Sequence, residues 1–291
     1  MANSESLDLD LKSPPFDRVS GVQRLASSRS GHRSIEHVRH QLFAGRDRRT
    51  RRNVLIKLTS KPGLVYQANL ANEIASLTTI NRELPGSRAF PEVLDHGRLA
   101  DGRLYLVMSL FDEFPLATSI GDERVPGKMF GHLQIACEAA RILGELHGVG
   151  IFHVDLNPMN ILYRAERGRP VVRIVDFESS YEVARHGAGE FYNPPTTPGY
   201  GAPELARRPP DGRADVFSLG AVLYTLLAGF AWTWSGEVHT SVEGDGPLDP
   251  DLKAVLRAAV SPDPDARHAS MAAFGQALAG YVERAWPGRS C

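Results

Sequence analysis

The period of the apolar residues changes along the chain, and the change predicts two kinds of structure. Short strand-like segments occupy residues 16–58, among them Arg52-Asn-Val-Leu-Ile-Lys-Leu58. Leu70, Ile74, Leu77 and Ile80 then fall at spacings of four and three, which predicts an amphipathic helix over 65–82. The stretch from Phe90 to Met108 reads as two strands around a turn at Asp101-Gly102. After Asp112 the period becomes helical. Met129, Leu133, Ala136, Ala140, Leu143 and Leu146 form one stripe that runs to about His147, with Gly148 and Gly150 as its stop. From residue 214 onward the pattern is almost wholly helical, over 214–228, 249–260 and 270–284. Strands with one helix, followed by helices, predict an α+β chain in two unequal lobes.

Composition narrows the function classes. A formal net charge of −1 over 291 residues gives no global basic field for nucleic acid. No apolar run reaches the ~18 residues of a membrane span, and the acidic start lacks a signal peptide's apolar core. These features make the cytoplasm the expected location. Cys137 and Cys291 are the two cysteines. A disulfide framework is not expected from them; Cys137 reads as a core residue and Cys291 as a frayed end. Residues 1–15 are polar and read as a disordered tail. The run Arg46-Asp-Arg-Arg-Thr-Arg-Arg52 reads as a solvated hairpin turn, with a docking patch for an acidic partner as the other reading. Trp232 and Trp234 read as lobe packing or as a partner site.

The candidate chemistry is concentrated in His153-Val-Asp-Leu-Asn-Pro-Met-Asn-Ile-Leu162 and Ile174-Val-Asp-Phe-Glu178. Asp155 and Asn160 lie five positions apart, and Asp176 closes a second apolar run. Phosphoryl transfer needs such a set: one carboxylate to orient a hydroxyl, and an Asn with a carboxylate to hold magnesium. Only five of the 33 basic residues are lysines, and one of them, Lys57, ends the apolar strand Val54-Leu-Ile-Lys57. Lys57 suits the phosphates of ATP, and Glu73 on the next helix suits pairing with that lysine.

Read in order, these motifs resemble the eukaryotic-type Ser/Thr protein kinases of bacteria, over roughly residues 17–285. The resemblance implies a bilobal fold. A mostly β N-lobe with one helix would span about 16–108, a hinge 109–113 and a mostly α C-lobe 114–285, with 286–291 as a tail. It implies ATP and Mg2+ as cofactors and a protein as substrate. Met108 takes the gatekeeper position, the backbone of Ser109, Leu110 and Phe111 faces adenine, Asp112 or Glu113 reaches the ribose, and Leu162 joins the cofactor site. Thr196-Thr-Pro-Gly-Tyr-Gly-Ala-Pro-Glu204 resembles the end of an activation segment, with Thr197 shaping where the substrate hydroxyl docks. Asp215 would brace the catalytic loop, and Glu204 would pair with Arg267 in a structural role.

The chain departs from the family pattern at four places. No Gly-x-Gly-x-x-Gly precedes Lys57; the nearest candidate is Ala26-Ser-Ser-Arg-Ser-Gly-His32, with Arg29 or Arg33 as added cationic contacts. Asn157 stands where a Lys supports the γ-phosphate. Glu178 stands where a Gly follows Asp-Phe. Val154 stands where an Arg meets a phosphorylated activation segment, so activity is expected without such phosphorylation, although Ser179, Ser180, Tyr181 and Tyr192 are candidate modification sites. Two alternatives stay open on these departures: an ATP-binding pseudokinase, and a small-molecule kinase of the aminoglycoside or choline type.

Overall fold

One face of β3 (Asn53–Thr59) organises the first part of the fold. Val54, Ile56 and Leu58 are fully buried on one face. They join Phe16, Val19, Phe43, Tyr105 and Val107 in one apolar cluster. The structure, a computed structural model, describes residues 13–25, 40–120, 128–166, 168–187, 197–228 and 248–291. Ala26–His32, Arg33, Tyr192, Trp232 and Trp234 lie outside the described residues, as does most of the expected tail. At the end of the expected tail the Phe16 N–H donates to the Ser13 carbonyl at 3.0 Å, and Pro15 is buried.

Two compact units divide the chain, Met1–Thr78 with Pro91–Phe111, and Thr79–Phe90 with Asp112–Cys291. In the first, β1 (Val19–Arg24), β2 (His40–Asp47), β4 (Val93–Arg98) and β5 (Leu104–Ser109) join β3 in an antiparallel sheet of order β1-β2-β3-β5-β4. Helix α1 (Leu64–Glu83) follows β3. The Arg46–Arg52 run is the β2–β3 turn, and its arginines are largely exposed, as charge repulsion and solvation dictate. Asp47 within the run is the exception, with no exposed surface. Its carboxylate accepts the Thr50 N–H at 2.6 Å, the Arg49 N–H at 3.0 Å and the Arg18 guanidinium at 2.7 Å. The Thr50 N–H, with Arg18 behind it, holds the carboxyl far below the usual carboxylate range against the opposing effect of burial.

The second unit is mostly helical. Its strands are β6 (Phe114–Pro115), β7 (Ile151–Phe152), β8 (Ile161–Glu166), β9 (Arg169–Ile174) and β10 (Tyr181–Glu182). Its helices are α2 (Lys128–Gly148), the single turn α3 (Val183–His186), α4 (Gly212–Ala228), α5 (Pro250–Ala259) and α6 (Met271–Ala285). Helix α4 is mostly apolar and is buried from Ala214 to Leu226, the pattern of a central helix. Asp249 caps α5 by accepting the Asp251 N–H at 2.8 Å, ahead of Pro250 in the first turn, and Ser270 caps α6 through the Ala273 N–H at 3.1 Å. No helix among the described residues is long and apolar enough to cross a membrane.

The cysteines depart from expectation. Cys137 is half-buried on α2 rather than in the core, and it is disulfide-bonded to Cys291 across 154 residues of chain. Spacing gave no sign of this, because the pairing depends on α6 folding back along α2.

His132 of α2 is 1% exposed, and neither ring nitrogen has a hydrogen-bond partner among the described residues. Burial, helped by Lys128 one turn away, lowers its pKa to about 4. The unfolded chain, with an ordinary imidazole, therefore binds the proton first. Stability is lost as pH falls from about 6.5 towards 4. Between pH 7 and 4.5 the native chain is expected to lose about 2 kcal/mol more stability than His132→Phe, measured by urea denaturation at both pH values. Equal losses would show that the imidazole is protonated or solvated in the fold.

Candidate active site

Each unit carries part of the expected site. On β3, Lys57 falls out of phase with Val54, Ile56 and Leu58, so it points to the face opposite the apolar cluster. Its register partners are Leu42 on β2 and Leu106 on β5. Lys57 Nζ lies 2.7 Å from Glu73 Oε2, with both side chains buried. Glu73 occupies a core position of α1. Leu70, Glu73, Leu77 and Ile80 follow one another at spacings of three, four and three, and all four are buried. Ile74, expected in that stripe, is only half-buried. The better-phased stripe contained the glutamate, which a purely apolar reading skipped. A buried ion pair costs several kcal/mol in desolvation per ion, repaid only by good geometry and further hydrogen bonds.

At the end of β5, Met108 and Ser109 are buried, Leu110 and Phe111 are half-buried and Asp112 is exposed. The Ser109 N–H donates to the Glu92 carbonyl at 2.9 Å, and the Leu110 N–H donates to the Asn53 carbonyl at 3.1 Å. These two donors are therefore spent on the sheet edge. Glu113, expected as one of two ribose contacts, is instead buried in an ion pair with Arg173 at 3.1 Å. Of the two acids, Asp112 alone is exposed.

In the second unit the loop from His153 to Asn160 joins β7 to β8. Asp155, Asn157 and Asn160 are all buried. Asn160 Nδ2 donates to the Asp155 carbonyl at 2.9 Å. The β8–β9 hairpin pairs Ile161 with Ile174, and beyond that pair the Val175 N–H donates to the Asn160 carbonyl at 3.0 Å. Asn160 and Asp176 thus leave the same end of one hairpin, which brings together two oxygen-bearing side chains of the kind a hard divalent cation takes. Leu162 lies half-buried on β8, opposite Arg173 and Pro115. Asp176 has φ +70°, a left-handed conformation uncommon outside glycine and Asn/Asp. It leads into a turn in which Phe177 is buried against Phe90 and His153.

Asp215, in the first turn of α4, binds the loop's backbone. Its carboxylate accepts the His153 and Val154 N–H groups at 2.8 Å each, and His147 Nε2 also lies at 2.8 Å. Burial alone would raise this carboxyl's pKa; the His147 hydrogen bond, the electrostatic effect of His147 and His153 and the Val154 N–H reverse the sign and lower it. Gly212 permits the His147 approach, since a Cβ there would lie 2.8 Å from the ring. Val154 is held at φ +70°, a strained state for a β-branched residue that costs on the order of 1–3 kcal/mol.

Asn157 is fully used. Its Nδ2 donates to the Asp155 carbonyl at 3.1 Å and to Thr197 Oγ1 at 3.2 Å, while its Oδ1 accepts the Met159 N–H at 2.9 Å. Thr197 is thereby tied to the loop that carries Asp155. Glu204 and Arg267 form a two-pronged pair at 2.7 Å on both arms, with Arg267 also donating to the carbonyls of Ser261 and Arg213. Ser179, Ser180 and Tyr181, candidate modification sites by sequence, are 5%, 0% and 3% exposed. In this conformation they are closed to a modifying enzyme. Ser180 Oγ donates to the Phe177 carbonyl, and the Tyr181 hydroxyl donates to that of Gly187.

Asn157→Ala is expected to destabilise the fold by about 1 kcal/mol, because it removes the acceptor of the Met159 N–H and the partner of the Thr197 hydroxyl. Thr197→Val should cost less on that background than in the native chain, as read from a double-mutant cycle in urea. Strictly additive energies would mean that the two side chains do not act together.

Comparison with known proteins agrees with this geometry. A family model described as the protein kinase domain matches residues 41–267. The human ribosomal protein S6 kinase alpha-2 is 35% identical over 161 residues, 55% of this chain and 21% of that protein. The serine/threonine-protein kinase Pkn1 of Myxococcus xanthus is 34% identical over 194 residues, 60% of this chain and 27% of its own length. The chain thus spans about a quarter or less of these two relatives. The rat calcium/calmodulin-dependent protein kinase type 1B is 30% identical over 260 residues, 80% of this chain and 72% of that one. The crystal structure of a double mutant of the Mycobacterium tuberculosis PknI kinase domain superposes with a TM-score of 0.57 at 23% identity, covering 89% of this chain and 95% of that one. That likeness establishes the fold, α+β with the protein-kinase arrangement of elements. Sequence matches of this extent establish the family as well: the chain belongs to the protein kinase domain family.

Proposed function

We propose that the chain transfers the γ-phosphoryl group of ATP to a Ser or Thr hydroxyl of a protein. The observation that carries this reading is the buried Lys57–Glu73 pair at 2.7 Å. A sheet with an apolar core gains little from such a pair, whereas an ATP site requires a fixed ammonium for the phosphates. Family membership supports the same reading.

Each residue has a stated part. Glu73 fixes Lys57, which neutralises phosphate charge. Ser109 to Phe111 hold the base beside Met108, with Asp112 near the ribose and Leu162 against the base. Asn160 and Asp176 suit Mg2+, which when bound offsets charge on the phosphate oxygens. Asp155 orients the substrate hydroxyl and accepts its proton. Asn157 and Thr197 fix where that hydroxyl docks, without the positive charge of a lysine. We take the domain as residues 16–285, and the cytoplasm as its location.

Regulation follows from Val154. It is buried and carries no charge, so it offers nothing to a phosphorylated segment. The start of that segment is held by other means. Tyr181 stacks between Phe152 and His186 at 6.3 and 5.1 Å, and Glu182 accepts from Thr79 and Arg185 at 3.0 Å each.

The test is incubation with γ-labelled ATP, magnesium and a generic protein substrate. Label is expected on protein, with Asp155→Asn about 10²–10⁴-fold slower and Asp176→Ala without transfer. Prior phosphatase treatment should leave the rate unchanged. ATP-induced thermal stabilisation without transfer would replace the catalytic reading with a binding one. Turnover only on added small hydroxylated compounds would move the substrate to that class.

A further inference from the structure

One face of α2 is covered by the segment that follows α6. Phe130, Gln134 and Cys137 recur at spacings of four and three, so they share that face. Each has a partner between residues 286 and 291. The Trp286 ring lies 5.5 Å from that of Phe130, and it also meets Tyr281 edge-on at 6.1 Å. The Arg289 guanidinium sits 5.0 Å over the Phe130 ring. Gln134 Nε2 donates to the Ser290 carbonyl at 3.4 Å. Gly288, at φ +83°, and the Arg289 N–H bonded to the Trp286 carbonyl at 3.0 Å turn the chain back onto the helix. Cys291 thereby meets Cys137, with their Cα atoms 5.8 Å apart, within the span a disulfide bridges.

We propose that Cys137 and Cys291 form a reversible thiol–disulfide switch that fastens residues 286–291 to α2, with a small-molecule disulfide as the oxidant. The non-covalent contacts make up a dock independent of the bond. They hold the two sulfurs together, so closing the ring needs no search by an unanchored segment. Exposure sets the order of events: Cys291 is exposed and Cys137 is half-buried. The Cys291 thiolate attacks the small disulfide RSSR, forming a mixed disulfide and releasing one RSH. The Cys137 thiolate then displaces the second RSH. Two protein thiols become one S–S bond, and the two electrons and two protons leave in two molecules of RSH. The ring so closed contains 154 residues of separation, among them the catalytic loop and α4. A crosslink over so long a loop restricts the unfolded chain strongly. Oxidation therefore stabilises the fold, and a reducing thiol pool returns the segment to its non-covalent dock.

The test uses the full chain, reduced and then titrated with oxidised glutathione. Peptide mapping without reductant is expected to find the Cys137 and Cys291 peptides linked within one chain. The melting temperature should rise by about 5 °C or more. Cys291→Ser, a change at an exposed position, should lose both effects while melting like the reduced native chain. Trp286→Ala should close the ring roughly tenfold more slowly, since it keeps both thiols and removes the dock. A glutathione adduct that persists on Cys291, linkage found only between chains, or a linked chain with unchanged melting would each overturn the proposal. Undiminished closure in Trp286→Ala would overturn the role of the dock.

Discussion

The carboxylate of Asp215 is wholly buried, and a charge in that position must collect hydrogen bonds or be neutralised. It collects them from His147 at the end of α2 and from the backbone of His153 and Val154. Its place in the first turn of α4 adds the favourable end of the helix dipole. One side chain thus fixes three elements to one another: the central helix, the helix beside it and the loop that carries Asp155. The left-handed Val154 persists on the same account, because the two peptide groups that lead into it are bonded to a rigid acceptor.

The same economy recurs elsewhere. Asp47 gathers the β2–β3 turn around one carboxylate, and Arg267 gathers Glu204, Ser261 and Arg213 around one guanidinium. Each lies among apolar packing that alone would not specify a loop conformation. Buried polar groups with several directed partners supply that specificity, at a desolvation cost that the partners offset.

Two of the four departures from the family pattern, Val154 and Asn157, share a physical theme, the loss of formal positive charge in the loop. Val154 is buried and strained but neutral. Asn157 bridges Asp155, Met159 and Thr197 with a neutral amide whose donors and acceptor are all occupied. Neutral hydrogen bonds, rather than formal charge, hold the loop at Asn157. That arrangement positions the loop with less positive potential than a lysine and an arginine would give it.

Element types and order were legible in the sequence because period two and period 3.6 are local properties: the β3 strand, the α2 stripe and the helices α5 and α6 all appear near the expected positions. The candidate site was legible as a set of residue types at family spacings, and the structure brings Lys57 to Glu73 and Glu204 to Arg267. Burial of particular polar side chains was not legible. Asp47 looked like one charge in a solvated run, Glu113 like a ribose contact, and Ser179 to Tyr181 like modification sites. Each outcome depends on partners distant in sequence, such as Arg18 for Asp47 and Arg173 for Glu113. The cysteines show the limit most plainly. The sequence by itself determined the helices that carry or precede them, through local periodicity and capping. Only the tertiary structure decided that the chain after α6 returns along α2, because that contact joins residues 154 positions apart and no local energy term records it.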